Sequence, residues 1–203
     1  MNRSAGIVGA VVASIAGFVV VSMLRTSANS NRIVQDSIVM LGDSITAEAD
    51  WGRLLPDQPL VNEGHPGFTT EQLIAVAERV AAADPAVVVV LTGTNDIRDG
   101  HPPSWTRAHL DELIDRLERG SKTTIILQTI LPRADAPTAV QRANVEIRDL
   151  AATRGLRLLD LYGPFDDGTG ALRGRETYDG LHLTVEGYER WANELRPVLR
   201  DLN

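Results

Sequence analysis

Ala86-Val87-Val88-Val89-Val90-Leu91 is an apolar, β-branched run with no polar alternation. A strand with one wet face alternates polar and apolar residues, whereas a strand buried on both faces does not. The run is therefore read as a central strand of a parallel sheet. On either side of it, apolar runs of strand length alternate with helical patterns. Further strands are expected at Ser37–Leu41, Pro59–Asn62, Thr123–Thr129 and Leu156–Leu159. Helices are expected at about Thr46–Leu55, Thr70–Ala83, Ser104–Arg119, Thr138–Arg154 and Thr184–Leu199. Leu73, Val76, Ala77 and Val80 recur at helical spacing in the second, and Thr184 is placed to cap the last. This alternation specifies an α/β fold, a three-layer α/β/α sandwich around a roughly five-stranded parallel sheet. Ligands in such sheets bind beyond the carboxyl ends of the strands. Ser44, the Gly64-His65-Pro66-Gly67 turn and Asn95 all fall at such ends.

The chain has 203 residues, 43% hydrophobic and 23% charged, which is enough for one domain with a sizeable core. Residues 1–28 hold Arg3 and Arg25 and no acid, leaving 18 basic against 27 acidic residues in the remainder. That balance argues against a nucleic-acid partner, which needs a concentrated positive face. With no cysteine, thiol nucleophiles, disulfides, thiolate metal sites and a lipid-modified N-terminal cysteine are excluded. Lys122 is the only lysine, a bias towards arginine that points to a GC-rich bacterial genome.

Ala5 to Leu24 is an uncharged, mostly apolar run between Arg3 and Arg25. About 20 residues at 1.5 Å rise cross a bilayer core of about 30 Å. Residues 1–25 are expected to be a membrane anchor or a signal peptide, with Thr26-Ser27-Ala28 as the cleavage site in the second case. Residues 26–36 are polar and read as a tether, and 37–203 as the folded domain. The expected location is the membrane, with the domain on the envelope or extracellular side, or secretion after cleavage. The flanking charges do not fix orientation, and nothing in the sequence fixes the oligomeric state.

Four segments carry residues of chemical interest. Ser44, in Gly42-Asp43-Ser44-Ile45-Thr46, lies in a strand-to-helix turn. There it is either the cap of the following helix or a nucleophile whose hydroxyl faces helix N–H groups. Asp179 and His182, in Asp179-Gly180-Leu181-His182-Leu183, are spaced so that one turn brings the carboxylate onto an imidazole nitrogen. Such a contact fixes the tautomer of a general base, or it merely caps the last helix. Asn95, in Gly93-Thr94-Asn95-Asp96, is either an oxyanion donor or part of a common turn. Asn62-Glu63-Gly64-His65-Pro66-Gly67 offers glycine N–H groups to the same oxyanion, or simply turns around Pro66.

In this order and after these strands, the four segments resemble the SGNH (GDSL) hydrolase family, from Ser37 to Leu199. The resemblance implies Ser44 as nucleophile, His182 as base and Asp179 as its partner. It implies an oxyanion hole made of the backbone N–H groups of Ser44 and Gly67 and the side chain of Asn95. Ile130-Leu131-Pro132-Arg133, Asn144 and Gly187-Tyr188 are similar to segments of small acetylhydrolase-type members. Phe68 departs from the pattern, standing where many members carry Asp, and His65 stands where a small or aliphatic residue is usual.

The lipase elbow G-x-S-x-G is ruled out by Thr46 in place of its second glycine, and no strand is followed by G-x-G-x-x-G. His65, His101, His109 and His182 form no H-E-x-x-H pair, so neither metal nor cofactor is expected. Trp51, Phe68, Trp105 and Tyr162 are candidates for the substrate wall. The expected activity is hydrolysis of carboxylic esters, with short acyl groups, by a Ser-His-Asp triad. It should rise with pH through the imidazole range, near 6.5 for an unperturbed ring. The expected partner is a small-molecule, lipid or glycan ester. Rival readings are an envelope O-acyltransferase with the same triad, and an inactive glycan- or lipid-binding module.

Overall fold

The computed structural model describes residues 33–119 and 122–202. The segment expected to be an anchor or signal, and most of the tether, lie outside the described residues. Among the described residues no helix is long and apolar enough to cross a membrane.

The valine run is strand β3 (Val87–Leu91), and all five of its residues are buried. Val87, Val89 and Leu91 enter one hydrophobic core, whereas Val88 and Val90 enter another on the opposite face. Full burial of each such side chain contributes about 1.5–3 kcal/mol, so a polar residue anywhere in the run would be costly. Strand β1 (Ile38–Gly42) divides in the same way, with Ile38 and Met40 on one face and Val39 and Leu41 on the other. With β2 (Leu60–Gly64), β4 (Thr124–Gln128) and β5 (Arg157–Leu159), these strands form one parallel sheet in the order β2-β1-β3-β4-β5.

Helices α3 (Thr70–Ala81), α5 (Pro103–Leu117) and α6 (Pro137–Arg154) supply Leu73, Leu110 and Ile147 to the core on one face. On the other face, α2 (Trp51–Leu54) and α8 (Val185–Arg200) supply Trp51, Trp191 and Leu195. The three-layer sandwich and its parallel sheet are therefore as the alternation specified. The strand order reverses between β1 and β3, and in sheets of this order that switch point is where ligands bind.

Three local differences from the sequence reading have short-range causes. The helix expected over Thr46–Leu55 is two single turns, α1 (Ser44–Ala47) and α2. Asp50 accepts the Arg53 N–H and starts α2 afresh, and the Trp51 indole N–H donates across the break to the Thr46 carbonyl. Two further single-turn helices, α4 (Thr94–Arg98) and α7 (Tyr162–Phe165), are too short to show periodicity.

Candidate active site

Strand β1 delivers the chain to Gly42, whose position tolerates no side chain. A Cβ there would overlap the Leu91 carbonyl oxygen of β3 and Thr46 Oγ1. The next residue, Asp43, is the cap of α1, its Oδ1 accepting the Ile45 N–H at 3.0 Å. Ser44 is thus relieved of capping, and its Oγ lies 3.0 Å from His182 Nε2.

The loop that brings His182 there is held by its own hydrogen bonds. Asp179 Oδ1 accepts the backbone N–H groups of Leu181 at 2.9 Å and His182 at 2.7 Å. Asp179 Oδ2 lies 2.7 Å from His182 Nδ1. Thr177 Oγ1 donates to the His182 carbonyl and accepts the Gly180 N–H, both at 2.8 Å, and Thr177 pairs with Leu183 in an antiparallel bridge. A carboxylate only accepts, so Nδ1 carries the ring proton and Nε2 is left to accept from the Ser44 hydroxyl.

The two aspartates beside this relay have opposite electrostatics. Partial burial pushes the Asp179 carboxyl up, but the hydrogen bonds from the His182 ring and from two backbone N–H groups outweigh it and hold it at about 2. Complete burial pushes Asp43 up to about 7, against the lowering effects of the Ile45 N–H and the nearby His182 ring. Asp43 Oδ2 has no hydrogen-bond partner among the described residues.

Asn95, on α4, is buried. Its Nδ2 donates to the Phe68 carbonyl at 2.9 Å, and its Oδ1 accepts from Arg98 Nη1 at 2.8 Å. A guanidinium has no acceptor, so this contact fixes which way the amide points. One amide N–H is then used on Phe68 and the second remains. Arg98 Nη2 also reaches the Gly67 carbonyl at 3.5 Å, joining the Asn95 and Gly67 segments. Gly67 has φ +81°, a left-handed conformation that costs other residues about 1–2 kcal/mol. Asp96 is fully buried and accepts the Thr70 backbone N–H at 3.1 Å and the Thr70 hydroxyl, locking α4 to α3.

The structure thus joins Ser44, His182 and Asp179 in one hydrogen-bonded chain, and joins Asn95 to the Gly67-Phe68 turn. Two arginines that shape the site were missed as such. Arg98 had a readable signal, a charge three residues after Asn95 at helical spacing. Arg133 lay in the motif Ile130-Leu131-Pro132-Arg133 but had no assigned role. It is buried, and its Nη1 donates to the Thr94 carbonyl at 2.8 Å, holding the start of α4. Asn144 clamps the Ile130 backbone through both amide atoms, at 2.8 and 2.9 Å.

Of the aromatic candidates for the substrate wall, Trp51 is corrected. It is 3% exposed and packs edge-on against Trp191 at 4.8 Å, so it belongs to the core. Trp105 packs against His101 and His109, with ring centroids 4.3 and 4.2 Å away. Tyr162 packs against the core under α6, its hydroxyl accepting from Gln141. Phe68 stacks on His65 at 5.0 Å, next to Gly67. An open cleft of about 380 Å³ adjoins the relay and is lined by Arg133, Ala134, Asp135, Asp179, Gly180 and Leu181. Among the described residues no three histidine or acidic side chains group as a metal ion would require.

A hydroxyl paired with an imidazole that is itself held by a carboxylate can perform nucleophilic acyl transfer. Comparison with known proteins points the same way. Residues 40–190 match the model of the GDSL-like lipase/acylhydrolase family. The chain is 24% identical over 196 residues to the human platelet-activating factor acetylhydrolase IB subunit alpha2, covering 88% of this chain and 85% of that protein. It is 24% identical over 181 residues to the esterase TesA of Pseudomonas aeruginosa, covering 82% and 89%. A GDSL-like lipase of Bacteroides thetaiotaomicron superposes with a TM-score of 0.75 at 25% identity, over 83% of this chain and 90% of that one. With a family match that takes in the serine turn, the histidine loop and strands β2 to β5 in full, this chain belongs to the GDSL-like lipase/acylhydrolase family and is an ester hydrolase.

Proposed function

We propose that the protein is a serine esterase acting on short-chain acyl esters through Ser44, His182 and Asp179. Ser44 Oγ attacks the ester carbonyl while His182 Nε2 takes its proton, and Asp179 stabilises the imidazolium. The second Asn95 amide N–H and the backbone N–H groups of Gly67 and Ser44 donate to the oxyanion. The bond to the alcohol then breaks as His182 returns the proton to the leaving oxygen. Water repeats the cycle, releasing the acid and restoring Ser44.

The observation that carries this reading is the continuous relay of 3.0 Å from Ser44 Oγ to Nε2 and 2.7 Å from Nδ1 to Asp179. One feature supports a short acyl group: the mammalian relative is named an acetylhydrolase. We further propose that residues 1–25 hold the domain at a membrane, facing the envelope or extracellular side, with release after cleavage as the alternative.

Ser44→Ala tests the mechanism. The variant is expected to stay folded and to lose about 10⁴-fold or more of kcat on nitrophenyl acetate. Hydrolysis by the folded variant at the original rate would refute it. A chain-length series of nitrophenyl esters tests the acyl preference, with kcat/KM expected to fall beyond short chains. Fractionation of cells expressing the full chain tests the anchor.

A further inference from the structure

Glu48 follows α1 directly and is not part of the relay. Its Oε1 lies 3.9 Å from His182 Nε2, the same nitrogen that faces Ser44. The other carboxylate oxygen is fixed, because Tyr178 Oη donates to Oε2 at 3.0 Å. The Tyr178 ring in turn stacks over the His182 ring, with centroids 5.8 Å apart and planes 14° from parallel. Partial burial and then the contact with Glu48 push the phenol up from its ordinary value, so it remains a donor at neutral pH. Glu48 therefore has one oxygen held and one presented to the base, on a side chain 40% exposed to water.

At 3.9 Å the Glu48–His182 pair is too far apart for a direct hydrogen bond. It is well spaced for one water. An oxygen about 2.8 Å from each atom would subtend an angle of about 90°, close to that of a water molecule. We propose that Glu48 is a catalytic residue of the second half-reaction, accepting one hydrogen of the attacking water while His182 Nε2 accepts the other.

This rests on Ser44 forming the acyl-enzyme. Once Oγ is acylated, Nε2 loses its serine partner and becomes free to bind water. The water oxygen bonds to the acyl carbon as its first proton moves to Nε2. The acyl C–Oγ bond then breaks, and the proton passes from Nε2 to Oγ. The second hydrogen leaves with the carboxylic acid and is lost to solvent, so Glu48 orients it and is never protonated. An alcohol acceptor has a single O–H, which His182 takes, and offers nothing to Glu48. The carboxylate thus favours hydrolysis over transfer to an alcohol. Acylation does not use it, because there Nε2 is engaged by Ser44 itself.

The test is Glu48→Gln with nitrophenyl acetate, followed by stopped flow and by mass spectrometry of the quenched enzyme. Tyr178 will hold the amide oxygen, which turns an NH₂ donor towards the water site. Deacylation should fall about ten- to a hundredfold, as expected for losing a hydrogen bond to a charged acceptor. Acylation should change by no more than about threefold, and acetyl-Ser44 should accumulate. With methanol present, the ratio of methyl acetate to acetate should rise. If acylation and deacylation fall together, or the methanol ratio stays fixed while acetyl-Ser44 forms, the role of Glu48 is wrong and the serine mechanism stands. Absence of any acetyl-Ser44 in Glu48→Gln, in an enzyme that still releases nitrophenol, would overturn both.

Discussion

The serine turn and the histidine loop reach the same hydrogen bond by different routes. Gly42, Asp43 and Ile45 are buried, and the turn is set by the pairing of β1 with β2 and β3. The loop from Thr177 to Leu183 is largely exposed and is set by five short-range contacts among its own residues. Their aspartates display the contrast. Asp43 is a carboxyl pushed up by burial, with one oxygen unpartnered among the described residues, while Asp179 is pulled down with both oxygens engaged. The position of Ser44 is thus a property of the core, and that of His182 is a local property. Damage to the first should register as stability, and damage to the second as rate.

Asp179→Asn should break the loop side most severely. The amide no longer forces the proton onto Nδ1, and kcat is expected to drop about 10⁴-fold with the melting temperature nearly unchanged. A loss of less than tenfold would mean that Asp179 is not the partner of the base. Asn95→Ala is expected to lower kcat about 10²–10³-fold with little change in KM, and an effect confined to KM would remove Asn95 from the oxyanion hole.

On the turn side, Asp43→Asn separates stability from rate. The Asp43 carboxyl is raised in the fold to about 7 from an ordinary value of 3.8. Its favourable contribution is therefore complete below the unfolded value and is lost as pH rises through the folded value. Asparagine keeps the helix cap and carries no buried charge. The variant should melt several degrees above the parent at pH 8, with the gain shrinking towards pH 4. A gain that does not vary with pH would show that Asp43 is not held up by burial.

The contrast also explains what the sequence made legible. Valines 87–90 announced a doubly buried strand because burial on both faces leaves no room for polar alternation, and the sheet followed from that. Ser44, Asn95, Asp179 and His182 were visible because each needs a particular residue type at a strand end or in a tight turn. Glu48 was not legible, since a charged residue after a short helix ordinarily faces solvent, and only the folded chain reveals that it meets an imidazole. Trp51 was misplaced for a related reason. Its partner Trp191 lies 140 residues further along the chain, and only tertiary packing brings the two rings together.

The central claim is that Ser44 is the nucleophile and that His182 activates it. Phosphonylation with a fluorophosphonate, followed by peptide mapping, tests both parts at once. One label per chain is expected on Ser44, formed at least about 10³-fold more slowly in His182→Ala. Labelling of a different residue, or an unchanged rate in a folded His182→Ala variant, would contradict it.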